Sequence, residues 1–343
     1  MSLRTRTDAT PDVPAGRRRA AARIPIARVP QPREDRMTST WKLARPGRIA
    51  AALAESQAQN SGGWFVAGVS ADVGRSASVA RTVAGREVTF WRTSDGTLVA
   101  GPGACPHLGA LLDDCPVLGG TMYCRWHGLA FTPDGDATWS PYRAYDDGVL
   151  IWVGLPTEGE TATDRPALPP RPPLSASVIA VIHETGICEP QDVIANRLDP
   201  WHGSWFHPYA FSHLVVDDAA SDERRLVVDV TFRLNRTWGV PVRAEFSCPD
   251  TRTIVMRIVD GEGAGSVVET HATPTGLDSR GRPLTIMTEA TIAYSDRTGF
   301  AAARWLAPLL RPSIRRTARK LWVDDLAYAE RRYDLRARGE FPG

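Results

Sequence analysis

The sequence predicts an α+β protein with two domains, a small all-β domain followed by a larger one in which a curled antiparallel sheet packs on helices. Three observations carry this prediction. Short strand-like segments run from about 60 to 155, a Pro-rich stretch follows at 156–175, and further strand-like segments lie between helix-like ones over 176–343. A length of 343 residues is enough for two domains with cores of their own.

The overall composition is that of an ordinary globular protein, with 43% hydrophobic and 23% charged residues and a formal net charge of +2. A charge this close to zero argues against a dedicated nucleic-acid-binding protein, since contacts to phosphates need an excess of Lys and Arg. No apolar run reaches the roughly 18 residues of a membrane span, and the first residues lack the apolar core of a secretory signal. The sequence therefore predicts a cytoplasmic protein.

The N-terminal segment 1–38 is rich in Arg, Ala and Pro and has no apolar periodicity, which predicts a disordered leader with Met37 as an alternative start. An organellar transit peptide is the other interpretation, because the segment is rich in Arg and poor in acidic residues. The first domain is then expected over 39–155. Residues 47–59 suit a short helix ahead of its strands.

From Trp64 onward the pattern is that of short β-strands. The segments WFVAGVS, SVARTV, REVTFWR and TLVAG are separated by Ala84-Gly85 and Ser94-Asp95-Gly96, which are typical of hairpin turns. Strand-like residues continue to 153 and complete the all-β domain. The stretch 156–175 includes PALPPRPPLS and is expected to be an extended linker.

The second domain is expected over 176–343. Residues 177–183 resemble a strand, and 189–208 are largely helix-like. The strand-like segments that follow are 225–234, 242–248, 252–259, 265–272 and 283–294. A long helix over 299–338 is predicted to close the chain.

A first group of candidate metal ligands lies in the β domain. Cys105, His107, Cys124 and His127 form the pattern Cys-x-His, sixteen residues, Cys-x-x-His. Two loops that each supply one thiolate and one imidazole match a [2Fe–2S] cluster with two His on one iron. A structural zinc site is the alternative, but zinc motifs usually pair Cys with Cys and His with His. Five cysteines in a chain this long do not indicate a disulfide framework.

The motif CPHLGA…CRWHG resembles the Rieske domain of the aromatic-ring-hydroxylating oxygenases, over about 60–155. The Rieske proteins of the cytochrome complexes add a disulfide between the two loops. Here Ala110 occupies one of those cysteine positions and Arg125 follows Cys124, so the resemblance points to the oxygenase or ferredoxin branch. Cys115 has no evident partner and is interpreted as a free structural thiol.

A second group of candidate ligands lies in NRLDPWHGSWFH, where His202 and His207 are five residues apart. Both can face one side of a helix that bends at Gly203, and with one carboxylate they would form a 2-His-1-carboxylate iron site. Core packing of two histidines among aromatic residues is the alternative. The pattern resembles that of the Rieske non-haem iron oxygenases, which implies that Asp199 bridges a cluster histidine, expected to be His127, of a neighbouring subunit to an iron-ligating histidine.

The third ligand is expected in KLWVDDLAYAERRYD. Monooxygenase members of the family resemble this stretch, with an Asp near the start of a terminal helix and a Glu five residues later. Asp325 with Glu330 fits that spacing, which makes Asp325 the predicted ligand. Asp324 is the alternative, because the two are adjacent.

The resemblance implies a helix-grip catalytic domain holding mononuclear Fe(II), and the terminal component of a single-subunit monooxygenase or demethylase. It further implies electrons from NAD(P)H through a separate ferredoxin or reductase, dioxygen as co-substrate, and a homotrimer. We expect a hydrophobic substrate of aromatic, steroid or isoprenoid type. The strand-like segments 225–234 and 283–294 suggest an apolar pocket, and no charged feature marks a quaternary-amine or carboxylate substrate. The competing hypothesis is an electron-transfer protein whose C-terminal domain binds a partner without a second iron.

The basic run RPSIRRTARK (311–320) follows the apolar FAAARWLAPLL (300–310). A helix with a solvated face is the simplest interpretation. The functional alternatives are docking of an acidic ferredoxin and contact with a membrane surface.

Overall fold

The computed structural model describes residues 26–28 and 39–342 of the chain. The predicted leader therefore lies outside the described residues except at 26–28, where β1 (Ala27–Arg28) pairs with Trp238 and Gly239. This short strand was not predicted from the composition of the leader. The helix α1 (Pro46–Gln57) confirms the one expected ahead of the strands, and it begins at a proline, which suits the first turn of a helix.

The first β domain contains three antiparallel sheets of three strands each, in the orders β2-β10-β9, β3-β4-β5 and β6-β7-β8. The predicted turn Ala84-Gly85 joins β3 to β4 with φ of 49° and 72°, and two positive φ values are what a tight two-residue hairpin requires. The bounds of the strands are β2 (Trp64–Val69), β3 (Val79–Val83), β4 (Arg86–Arg92), β5 (Leu98–Pro102), β6 (Val117–Leu118), β7 (Thr121–Tyr123), β8 (Ala130–Phe131), β9 (Arg143–Asp146) and β10 (Leu150–Gly154).

The second domain is an antiparallel sheet packed against helices. The sheet has the order β11-β17-β16-β15-β14-β13-β12, with β1 added to β14. The bounds are β11 (Val178–Gly186), α2 (Pro190–Arg197), α3 (Gly203–Phe206), β12 (Phe211–Val216), β13 (Arg225–Arg233), β14 (Trp238–Asp250), β15 (Thr253–Gly261), β16 (Val267–Leu277), β17 (Pro283–Ala293), α4 (Phe300–Trp305) and α5 (Ala307–Ala337).

Packing between α5 and the sheet forms the core next to the second group of candidate metal ligands. Trp322 is fully buried there among Ile182, Met287 and Leu326. Irregular register in three strand pairs, such as the shift between Arg243 and Ala244, bends the sheet around these helices. The predicted sheet-and-helix architecture is confirmed, and β1 and β12 are the described strands of this sheet that lack a predicted counterpart.

The Pro-rich connector has no helix or strand from 156 to 173, as the sequence predicted for a linker. It is nevertheless attached to both domains, because Arg171 lies between Asp147 of the first domain and Glu269 of the second. No helix within the described parts of the chain is long and apolar enough to cross a membrane.

Candidate metal centres

The first candidate centre is built from two loops with the same backbone hydrogen bonds. In each loop the N–H of the cysteine donates to the carbonyl five residues later, and its carbonyl accepts from the glycine four residues later; all four bonds measure 2.8 Å. Gly109 and Gly128 occupy that position with φ of 72° and 74°, a region that favours glycine. Cys105 and Cys124 therefore begin two matching turns that face each other.

The side chains of these loops provide a mixed set of donors. The thiols of Cys105 and Cys124 are buried, whereas His107 and His127 are exposed with ring centroids 4.9 Å apart. Burial acts to raise the pKa of Cys124, but backbone N–H groups of Trp126 and His127 stabilise the thiolate and lower the pKa below its usual value. Two sulfurs on the inside and two imidazoles on the outside fit a cluster with unlike ligands on its two irons.

Cys115 is fully buried beside this centre and is free, as are the other four described cysteines. Burial raises the pKa of its thiol. The position is part of the core that contains Trp91 and Leu112, so packing accounts for it. The prediction of a free structural thiol is confirmed.

The second candidate centre begins where two short helices meet. Pro200–His202 form a single 3₁₀ turn, and α3 follows directly and ends before His207. The sequence predicted one helix bent at Gly203, and the structure instead changes helix type at this residue. Both histidines consequently lie at the end of a helical turn, His207 fully buried and His202 partly so.

Asp325 of α5 approaches both histidines. Its Oδ1 lies 3.2 Å from Nε2 of His202 and 2.8 Å from Nε2 of His207, and one ligating atom from each of the three residues lies within 4.8 Å of the others. Burial acts to raise the pKa of Asp325, but the two imidazoles lower it well below the usual range. Burial acts to lower the pKa of His202, but Asp199 and Asp325 raise it to about 9. Two imidazoles and one carboxylate are the donor set of a facial triad.

The residues around the triad hold its side chains in place. Asn196 is buried and donates from Nδ2 to Oδ1 of Asp325 at 3.2 Å. The hydroxyl of Tyr209 donates to Asp324 at 2.8 Å and lies 3.3 Å from Nδ1 of His207. Glu330, which helped to set the predicted spacing, instead accepts a 2.8 Å bond from the N–H of Ile187 and lies apart from the triad.

Asp199 lies on the other side of His202, with Oδ2 at 3.8 Å from Nδ1. Its Oδ1 and the Nδ1 of His202 are both buried and have no hydrogen-bond partner within the described chain. The ring of Tyr328 stacks on His202 with centroids 5.8 Å apart, and burial together with the charge of Asp199 raises the pKa of Tyr328 to about 12.

Sequence reasoning missed a polar group close to the triad. Glu289 of β17 is buried and accepts a 2.7 Å bond from Nε1 of Trp322, one helical turn before Asp325. Burial raises the pKa of Glu289. The guanidinium of Arg197 lies 5.7 Å from the centre of the Trp322 ring. A glutamate within the largely apolar segment LTIMTEATIA was the available signal in the sequence.

Protein-family models match two parts of the chain. Residues 63–151 match the Rieske [2Fe-2S] domain, and residues 157–340 match a family described as Domain of unknown function (DUF5914). The Rieske prediction is thereby confirmed.

Curated relatives share less of the chain. It is 27% identical over 208 residues to Protein TIC 55, chloroplastic, of Arabidopsis thaliana, which covers 51% of this chain and 36% of the relative. It is 30% identical over 173 residues to a putative toluene-4-sulfonate monooxygenase system iron-sulfur subunit, TsaM2, of Comamonas testosteroni, which covers 46% and 48%. The chain thus spans less than half the length of either relative.

Among solved structures, dicamba monooxygenase bound to dicamba has a similar fold. The TM-score is 0.58, the sequence identity is 16%, and the match covers 82% of this chain and 89% of the other. At this identity the likeness concerns the fold alone.

Proposed function

This chain belongs to the DUF5914 family and carries a Rieske domain in the fold of the Rieske non-haem iron oxygenases, and from that premise we propose that it is a terminal oxygenase. It takes electrons from a ferredoxin or an NAD(P)H-dependent reductase and uses dioxygen to hydroxylate or otherwise oxidise a hydrophobic organic molecule. The observation that carries the proposal is the convergence of His202, His207 and Asp325 in the same chain as the two Cys/His loops.

The two sets of donor residues suit two different metal groups. Cys105, His107, Cys124 and His127 would hold the [2Fe–2S] cluster, and His202, His207 and Asp325 would hold Fe(II). When bound, the cluster supplies single electrons and the Fe(II) supplies a site for dioxygen activation.

The protein's own residues position these ligands. Asn196 fixes the Asp325 carboxylate through its hydrogen bond, and the hydroxyl of Tyr209 lies against the rear nitrogen of His207. Groups of this kind orient imidazoles and hold the proton on the nitrogen that faces away from the metal. Tyr328 covers one face of His202 and limits the access of water to the ring.

Asp199 is the residue that we propose to connect the two centres. Its Oδ1 has no partner within the described chain, although it is buried. In the head-to-tail homotrimer that the resemblance implies, this oxygen would accept a hydrogen bond from His127 of the partner subunit. The same carboxylate already lies beside His202, so one side chain would contact ligands of both centres.

Counting iron distinguishes this proposal from a Rieske electron carrier whose C-terminal domain binds a partner. We expect about three irons per chain for the oxygenase and about two for the carrier. Oxygen uptake that depends on NADH and a reductase, across a panel of lipophilic compounds, then tests turnover. A protein with a complete cluster, no third iron and no substrate-dependent oxygen uptake would be the carrier.

A further inference from the structure

A cationic segment precedes the triad aspartate in the chain. Between residues 300 and 323 there are six arginines and lysines and no aspartate or glutamate, in a chain whose formal net charge is only +2. The six are Arg304, Arg311, Arg315, Arg316, Arg319 and Lys320. The segment forms α4 and the first half of α5, which only Leu306 separates, so these charges lie along two consecutive helices.

Large apolar side chains project from the same two helices. Trp305 is 82% exposed and Leu309 is 75% exposed, and Leu306 between them is also exposed. Single apolar residues at a surface are ordinary, but three within five positions form a patch. The described residues of this chain leave these three side chains uncovered.

Within the described residues, α4 and the first half of α5 contact the rest of the protein along one side. Ala307 and Ala318 are buried, Arg311 donates to the carbonyl of Ile179 at 3.1 Å, and Arg319 pairs with Glu184. By contrast, neither Arg315 nor Arg316 has an acceptor among the described residues, and both are exposed. The outer side of these helices therefore presents cations without a partner among the described residues, next to exposed apolar side chains.

We propose that α4 and the first half of α5 bind the surface of a membrane that contains anionic lipids. Tryptophan and leucine enter the boundary between headgroups and acyl chains, and arginines beside them pair with lipid phosphates. An acidic protein partner would satisfy the cations. The charge of such a partner would not explain the exposure of Trp305 and Leu309, which project from the same helices and need an apolar environment.

The geometry links this surface to the catalytic site. The ammonium of Lys320 lies 3.7 Å from the centre of the Tyr209 ring, and the Tyr209 hydroxyl bonds Asp324. From Lys320 to Asp325 the helix rises only about 7.5 Å. If these helices bind the membrane, they hold the proposed iron site close to the bilayer surface, where a lipophilic substrate is concentrated.

Vesicle co-sedimentation of the full-length, metal-loaded protein tests the proposal. The probes are vesicles of phosphatidylcholine alone and vesicles with three parts phosphatidylglycerol in ten, each at low and at physiological salt. We expect binding to the anionic vesicles that weakens with salt, and little binding to phosphatidylcholine. Replacing both unpaired cations, Arg315→Gln with Arg316→Gln, should weaken binding by roughly 10- to 30-fold. Trp305→Ser with Leu309→Ser should also weaken it.

The matched control is Leu277→Ser with Arg280→Gln, an exposed apolar and cationic pair on the β16–β17 hairpin, which should leave binding unchanged. Equal binding to both vesicle types, or no effect of the Arg315 and Arg316 changes, would overturn the proposal. So would a change in oligomeric state caused by the Trp305 and Leu309 changes, which would identify the patch as an interface between copies. Vesicle binding does not require turnover, so an inactive but membrane-bound protein would contradict the proposed oxygenase activity alone.

Discussion

Asp324 and Asp325 are adjacent in α5, yet their carboxylates lie at opposite edges of the His207 ring. Oδ1 of Asp325 is 2.8 Å from Nε2, whereas Oδ2 of Asp324 is 3.7 Å from Nδ1 and accepts a bond from Tyr209. The two aspartates are therefore suited to different tasks. Asp325 lies between the imidazoles of the two histidines, and Asp324 supports the His207 ring from its opposite edge.

This difference predicts separate effects of two neighbouring substitutions. Asp325→Ala should lower the iron content from about three to about two per chain, because it removes a donor from the triad but leaves the cluster loops untouched. Asp324→Asn is the matched control and should keep the third iron, with the affinity lowered by roughly 10- to 100-fold at most. Iron analysis together with the cluster's electron paramagnetic resonance signal measures both. Loss of the third iron only in Asp324→Asn would reverse the assignment.

Asp199→Asn should keep both metals and abolish turnover. The amide preserves the shape of the side chain but removes the charge beside His202 and leaves only one oxygen that can accept a hydrogen bond. A single-turnover experiment with a reduced cluster should show cluster re-oxidation slowed by at least about 100-fold, at unchanged iron content. If the variant has lost its iron instead, Asp199 supports the metal site and does not carry the coupling between centres.

The cluster loops depend on two glycines whose conformation matters more than their size. A Cβ built on Gly109 or Gly128 meets no atom within 4 Å, but φ is positive at both positions. Gly109→Ala and Gly128→Ala should therefore each cost about 1 kcal/mol of strain and lower the cluster occupancy. Gly47→Ala in α1 is the control, because this site is equally open and φ is not in the left-handed region. Absorbance of the cluster and chemical denaturation provide the measurements; equal effects in all three variants would count against the explanation.

The connector between the domains carries a buried charge cluster that makes stability depend on pH. Nε of Arg171 lies 2.5 Å from Oε1 of Glu269, and its Nη1 lies 2.8 Å from Oδ1 of Asp147. Burial acts to raise the pKa of both carboxyls, but Arg171 lowers both below their usual values. With the folded pKa below the unfolded one, this contribution to stability is present above about pH 4.5 and is lost as the pH falls through the folded pKa.

Arg171→Met should lower the free energy of unfolding by about 3–5 kcal/mol at pH 7, because it leaves two buried carboxylates without their counter-charge. The difference from the natural protein should shrink at pH 3–4, where the carboxyls of the variant are protonated. Urea unfolding at the two pH values measures this. Arg280→Met, at an exposed site, should have little effect at either pH. A loss that is the same at both pH values would mean that packing, and not charge, is the contribution of Arg171.

Local patterns in the sequence were sufficient to predict the Rieske domain and most of the fold. The four candidate cluster ligands lie within 23 residues, on two turns whose geometry follows from the spacing of cysteine and glycine. The strands, the hairpin turn at Ala84-Gly85 and the long C-terminal helix followed from alternation, turn residues and helical periodicity. These features depend on residues that are neighbours in the chain.

The tertiary structure decided the features that depend on distant parts of the chain. His207 and Asp325 are 118 residues apart in the sequence. Which of Asp324 and Asp325 points toward the two histidines depends on how α5 is rotated against the sheet. A shift of one residue turns a helix by about 100°, so sequence spacing left the choice open. The burial of Glu289 beside Trp322 and the position of Arg171 between two acids are likewise products of packing. The sequence by itself determined which ligand types and elements are present, and packing decided which of the candidate side chains meet.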